Sequence, residues 1–193
     1  MTVGDGSAFA ATRRSTPRSG IFEAILKQRT MTPMQTNPRH HFPMLLAFLF
    51  LVLVVSSLGG AVTATGLDDW YRDLAKPPFN PPDWLFGPVW TALYLAIAIA
   101  GWRLWRVLGW VQGRGVLALW GLQLVMNLCW SVIFFGLQAP GAALVWIGLL
   151  FLVLLACIRQ FAPVDRWAAI LFVPYALWVA FAAVLNGAIW WLN

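Results

Sequence analysis

From Met44 onward the chain alternates long apolar runs with short polar ones. The runs are about Met44–Thr65, Trp84–Trp105, Val116–Leu137, Ala142–Phe161 and Trp167–Leu192. A helix rises 1.5 Å per residue and a bilayer core is about 30 Å thick, so about 20 apolar residues cross it. Every run reaches that length. None shows the polar–apolar alternation of a barrel strand, which also crosses in about half the residues. The pattern predicts an all-α membrane protein, a bundle of five transmembrane helices. Its connections would be Gly66–Asp83, Arg106–Gly115, Gln138–Gly141 and Ala162–Arg166, the first of them long.

Composition agrees. Of 193 residues, 61% are hydrophobic and 10% charged, against about 25% charged in a typical soluble domain. Residues 1–43 stand apart, rich in Arg, Ser, Thr and Pro and poor in acids. They lack the apolar stretch of a secretory signal, and Arg13-Arg14 leads into Ser-Thr-Pro rather than an export signal. The expected organisation is a disordered polar segment over 1–43 and a membrane domain over 44–193. An alternative is a later start at Met31, Met34 or Met44, and the composition also admits an organellar transit peptide.

Charge then orients the bundle. With five spans, one side collects Arg13, Arg14, Arg18, Lys27, Arg29, Arg39, Arg103, Arg106, Arg114, Arg159 and Arg166. Only Arg72 and Lys76 fall on the other. Cytoplasmic loops hold the excess of Lys and Arg, so the N-terminus should be cytoplasmic, and a bacterial inner membrane fits best. An outer or organellar membrane is the alternative.

Catalytic constellations are missing. No Asp, Glu, Lys or His lies within a span to relay protons, which disfavours a proton-coupled pump or transporter. There is no GxGxxG, Walker A loop or HExxH. Cys129 and Cys157 lie in apolar runs without metal spacing and read as buried small hydrophobes. No metal, resident cofactor or nucleic-acid partner is expected.

Tryptophan carries the remaining signal, at 13 residues. An interfacial aromatic belt accounts for Trp70, Trp84, Trp110, Trp190 and Trp191, and extends to Trp102, Trp105 and Trp167. It does not reach Trp90, Trp130 or Trp178. These sit on helical stripes: Gly87, Trp90, Tyr94 and Gly101; Trp120, Gln123, Asn127 and Trp130; Tyr175, Trp178, Ala182 and Asn186. Amides are costly in lipid, so the stripe with Gln123 and Asn127 should face the bundle interior. The key positions lie about 9 to 20 Å from the outer ends of their spans at 1.5 Å per residue. Converging indole, phenol and amide groups suit a flat apolar ligand with a few polar atoms. Interhelical packing is the competing reading.

The first loop holds Pro77, Pro78, Pro81 and Pro82 among Trp70, Tyr71, Phe79 and Trp84. Proline restricts the backbone and the aromatics disfavour water, so a compact lid over the bundle mouth is expected. An aromatic anchor in the headgroups is the alternative. Pro174 should kink the last helix.

These residues also carry a family pattern. Trp70-Tyr71-x-x-Leu74-x-Lys76-Pro77-x-x-x-Pro81-Pro82, then Trp90-x-x-Leu93-Tyr94, resembles the signature of the translocator protein family, the TspO/MBR or tryptophan-rich sensory proteins, also called peripheral-type benzodiazepine receptors. Gln123-Leu124-x-x-Asn127-x-x-Trp130, Phe134-Phe135-Gly136 and Pro174-Tyr175-x-x-Trp178-x-x-Phe181-Ala182-x-x-Leu185-Asn186 extend it over about Leu45 to Trp191. The resemblance implies a five-helix bundle, often a homodimer, with a pocket under the first loop for porphyrins such as protoporphyrin IX. Trp90, Asn127, Trp130, Trp178, Ala182 and Asn186 would line it, with Tyr71 and Phe79 at the lid. Gly87, Tyr94 and Gln123 join them from the stripes. Phe79 departs from the Trp of many members, and no Lys or Arg follows Tyr175 as in the cholesterol motif of animal members.

The leading expectation is a membrane tetrapyrrole receptor or sensor that links porphyrin levels to regulation. The second is light-dependent porphyrin breakdown, for which the indoles of Trp90 and Trp178 would be the candidates. A transporter of porphyrins or other amphipaths is third. A membrane subunit that only binds partners is fourth, with small-residue faces Ser56-Gly60-Ala64 and Ala92-Ala96-Ala100 as contacts.

Overall fold

The computed structural model describes residues 41–67 and 70–193. The expected polar segment therefore lies outside the described residues up to position 40. Five α-helices follow: α1 His41–Leu67, α2 Trp70–Asp73, α3 Asp83–Ser131, α4 Pro140–Phe161 and α5 Arg166–Leu192. A π-helical turn, Val132–Gly136, extends α3. Helix α1 takes in His41–Pro43 as well as the first apolar run. Among the described residues no strand forms.

The expected connection over Arg106–Gly115 is the main correction. Those residues are helical except at Gly109, with φ 63° and ψ −172°. That combination is open essentially to glycine alone. The two apolar runs are thus fused in one stretch, Asp83–Gly136, of 54 residues. At 1.5 Å per residue a straight rod would be about 80 Å long, over twice a bilayer core. It is not straight. Trp120 Nε1 donates to Ile97 O at 2.9 Å and Tyr94 Oη to Asn127 Oδ1 at 3.0 Å. The paired numbers have nearly constant sums, so the arms 83–108 and 110–136 run antiparallel. Four described helical stretches are long and apolar enough to cross a membrane: His41–Thr65, Asp83–Gly136, Pro140–Phe161 and Arg166–Leu192.

The arms of α3 are clamped by a close approach. A Cβ on Gly101 would stand 2.5 Å from Trp120 Cε2, so only glycine lets the indole lie on that backbone. Trp120 in turn meets Phe48 of α1 edge-on at 5.0 Å. Two hydroxyls in the apolar stretches are satisfied within their own helices, as a membrane favours. Thr63 and Thr91 hydroxyls donate to the carbonyls of Gly59 and Gly87, each at 2.9 Å.

Helices α4 and α5 form an antiparallel hairpin. Phe161 meets Phe172 at one end, and Asn186 Nδ2 donates to Pro140 O at 2.7 Å near the other. Asp165 begins α5 as its N-cap, accepting from Trp167 N and Ala168 N. Its carboxylate also takes Arg103 of α3, with Nη2 2.9 Å from Oδ2 and both Nε and Nη2 3.1 Å from Oδ1. This pair ties α3 to α5 at the end opposite α2. Where a kink is expected, α5 runs through Pro174 without a break in helix.

Candidate functional site

At the α2 end the helices stop closing on one another. Below Asn127, Trp120 and Gly101 fill the space between the α3 arms; above it a cavity of about 420 Å³ opens. Its walls come from α1, both arms of α3, the π-helical turn and α5, and Tyr71 of α2 reaches its rim.

Three indoles, Trp90, Trp130 and Trp178, stand in the wall among Tyr and Phe rings. Trp90 lies 5.4 Å from the Tyr94 ring and meets Tyr175 edge-on at 6.1 Å. Trp130 stacks on Phe134 at 5.3 Å. Trp178 stands between Phe86 at 5.9 Å and Phe181 at 5.6 Å. Trp130 donates Nε1–H to Asn186 Oδ1 at 3.2 Å. The N–H groups of Trp90 and Trp178 have no hydrogen-bond partner among the described residues.

Two amides hold the wall together rather than facing the space freely. Asn127 accepts from Tyr94 Oη and donates to Tyr175 Oη at 2.9 Å, joining both α3 arms to α5. Asn186 accepts from Trp130 and donates to Pro140 O, joining α5 to α3 and α4. Both are buried, at 3% and 1% exposure. Such bonds are the affordable way to keep amides in an apolar bundle.

The loop closes the rim from one side. Tyr71 is buried against Phe135 at 5.7 Å and donates Oη–H to Asn80 Oδ1 at 3.2 Å. Lys76 Nζ lies 4.6 Å over its ring centroid. Asn193 grips the loop backbone, accepting from Ala75 N at 3.0 Å and donating to Ala75 O at 3.1 Å. Burial pushes the Tyr71 hydroxyl pKa up to about 12, helped by the nearby charge of Asp83. Asp68 and Asp69 of this loop lie outside the described residues.

Nine of the positions singled out in the sequence come together around this space: Tyr71, Gly87, Trp90, Tyr94, Asn127, Trp130, Trp178, Ala182 and Asn186. Two do not. Phe79 is in the loop turn and 47% exposed, away from the cavity, because the loop directs Tyr71 inward instead. Gln123 shares the Asn127 face but sits a turn deeper, where the arms have closed. It is 0% exposed, donates Nε2–H to Trp120 O at 2.8 Å, and leaves Oε1 without a described partner. The face from α1, including Ser56, Gly60, Thr63 and Ala64, escaped sequence reasoning. Its small-residue spacing is visible in the sequence but reads as a helix-packing surface.

The TspO/MBR family profile matches residues 47–192. The chain belongs to the TspO/MBR family. It is 43% identical over 148 residues to the tryptophan-rich protein TspO of Chlorobaculum tepidum, covering 74% of this chain and 91% of that one. Similarity to a TspO of Archaeoglobus fulgidus is 40% over 149 residues, 77% of this chain and 96% of the relative. The translocator protein of Sus scrofa is 38% identical over 144 residues, 71% of this chain and 85% of the relative. Family membership and the long apolar helices together make this TspO/MBR protein an integral, multi-pass membrane protein.

Proposed function

We propose that the protein is a membrane receptor for a flat, largely apolar ligand of the tetrapyrrole class, with protoporphyrin IX as the representative. The observation that carries this reading is the pair of indole N–H groups on Trp90 and Trp178. Both belong to cavity-lining side chains, and neither has a partner among the described residues. Neither is among the buried atoms that lack a partner, but a ligand that covered them would have to supply ring-nitrogen or carbonyl acceptors, because an N–H left unmatched in an apolar setting costs free energy. The aromatic faces around them suit a planar π-system. A volume of about 420 Å³ falls in the ordinary range for small-molecule sites. The rim positions Gly60, Ala64, Gly87 and Thr91 are exposed, so a macrocycle would enter edge-first and keep one edge at the mouth.

In this reading α1, the two α3 arms, α4 and α5 make five crossings. The N-terminal end of α1 is cytoplasmic, because Arg103, Arg106, Arg114, Arg159 and Arg166 gather at that end of the bundle. A bacterial inner membrane fits this bias. A homodimer belongs to the reading through the family resemblance. Its interface would use surfaces other than the small-residue faces, since Ser56, Gly60 and Ala64 line the cavity and Ala100 is fully buried.

Titrating the purified protein with protoporphyrin IX while following tryptophan fluorescence tests the proposal. Saturable quenching, weakened at least tenfold in a Trp90→Phe/Trp178→Phe variant that still folds, is expected. Quenching that never saturates, or that ignores both substitutions, would reject it.

A further inference from the structure

The cavity wall is apolar, hydroxylic and amide in character, with one exception. Among the described residues that line it, only Asp83 carries a formal charge. Asp83 occupies the first turn of α3, directly after Pro82, and its side chain is exposed at the rim. The described ion pair of the molecule, Arg103–Asp165, is at the opposite end of the bundle. No described cation pairs with Asp83. Lys76, the nearest candidate in sequence, donates to Arg72 O at 3.1 Å and stands over the Tyr71 ring. Asp83 also makes itself felt at the rim, since its charge contributes to the raised pKa of Tyr71.

We infer that Asp83 sets the charge preference of the cavity, selecting ligands that present a cation or an N–H donor at the Asp83–Tyr71 rim and opposing those that present a carboxylate there. The inference rests on the cavity being a ligand site. It follows from three conditions that hold together. The carboxylate is unneutralised, the remaining wall offers no compensating charge, and the rim is where an edge-first ligand keeps its polar substituents. A carboxylate on that edge meets a like charge, whereas an ammonium or N–H group gains a charge-assisted hydrogen bond. The helix α3 N-terminus offsets part of the negative field, but a helix end carries only about half a unit charge. Asp83 is the formal charge set in the described wall itself, and Lys76 Nζ, held over the Tyr71 ring beside it, forms no ion pair with it.

Three forms of one macrocycle isolate this effect: protoporphyrin IX, its dimethyl ester, and its bis(aminoethyl) amide. Their ring is common, while the rim substituents are anionic, neutral and cationic. Each is titrated into the full-length wild-type protein and into Asp83→Asn and Asp83→Lys in a neutral detergent, at low salt. The expected order of affinity in the wild type is amide, then ester, then free acid. Asp83→Asn should tighten the free acid by roughly three- to tenfold, the scale of one charge several Å away at a solvated mouth. It should weaken the amide by a similar factor and move the ester less than twofold. Asp83→Lys should reverse the order of the charged pair.

The outcomes separate cleanly. If none of the three forms binds saturably to the wild type, the receptor reading itself fails. If the ester binds saturably but Asp83→Asn shifts all three forms equally, or none, the selector role of Asp83 is overturned while the receptor reading stands.

Discussion

Gly101→Ala is the sharpest test of how the α3 arms are held. The new methyl carbon would stand 2.5 Å from Trp120 Cε2, 2.7 Å from Nε1 and 2.8 Å from Cζ2. Ordinary contact needs about 3.5 Å or more, so the indole must retreat by close to 1 Å. It has little freedom, being buried on Phe48 and bonded to Ile97 O. Overpacking of this kind costs about 1–3 kcal/mol. Losing the indole hydrogen bond adds about 0.6 kcal/mol, the average for an interhelical bond in a membrane. The expected loss is therefore about 1.6–3.6 kcal/mol. Reversible unfolding in mixed micelles measures it, with Trp120→Phe as the second arm of a double-mutant cycle. The smaller ring lacks the atoms that clash, so Gly101→Ala should cost at least 1 kcal/mol less in that background. Equal costs in both backgrounds, or a loss under about 0.5 kcal/mol in the wild type, would show that the indole does not occupy this position.

Three further outcomes follow from the geometry. Gly109→Ala places a side chain at φ 63° and ψ −172°, and should destabilise by about 1–3 kcal/mol in the same unfolding assay, whereas Gly115→Ala, with nothing near its Cβ, should be neutral or stabilising. Asn127→Leu leaves the Tyr94 and Tyr175 hydroxyls without their shared partner, and should cost about 1–3 kcal/mol, with Tyr94→Phe/Tyr175→Phe recovering part of the loss. The Tyr71 hydroxyl should titrate near pH 12, read as the tyrosinate absorbance difference between wild type and Tyr71→Phe. Because its folded pKa is raised above the usual 10, its contribution to stability is complete below pH 10 and is lost as pH climbs toward 12. Asp83→Asn should lower that midpoint only partly, since burial is the larger cause. A midpoint near 10 would place Tyr71 in water.

The apolar runs made four of the fold's features legible before any coordinates: the helical class, the approximate helix bounds, the long first connection and the hairpin of α4 and α5. The reversal between the second and third runs was expected, but its form was hidden, because Arg106–Gly115 is polar enough to read as a loop. Helical periodicity does not reveal that one glycine with positive φ is sufficient for the turn. The aromatic stripes placed Trp90, Trp130 and Trp178 on the right faces. Periodicity fixes a face but not a depth, which is why Gln123 fell below the cavity floor while Asn127 lined its wall. Phe79 failed for a different reason. Its loop has no repeat, so which aromatic turns inward depends on contacts with Phe134, Phe135 and Asn80. Small residues of α1 carry no chemical signature, and only their position opposite Gly87 and Trp90 gives them a part in the site. The amides show how both readings of a polar stripe can hold at once. Asn127 and Asn186 form interhelical bonds, and by doing so they shape the cavity.

A structure of the protein with protoporphyrin IX dimethyl ester would show whether a planar guest occupies the space bounded by Trp90, Trp130 and Trp178. The macrocycle should lie between those rings, with acceptor atoms within about 3.2 Å of the Trp90 or Trp178 Nε1 and its substituted edge at the mouth. A macrocycle lying on the outer, lipid-facing side of the helices, with the cavity collapsed and both N–H groups turned away from it, would rule out a receptor site in this cavity.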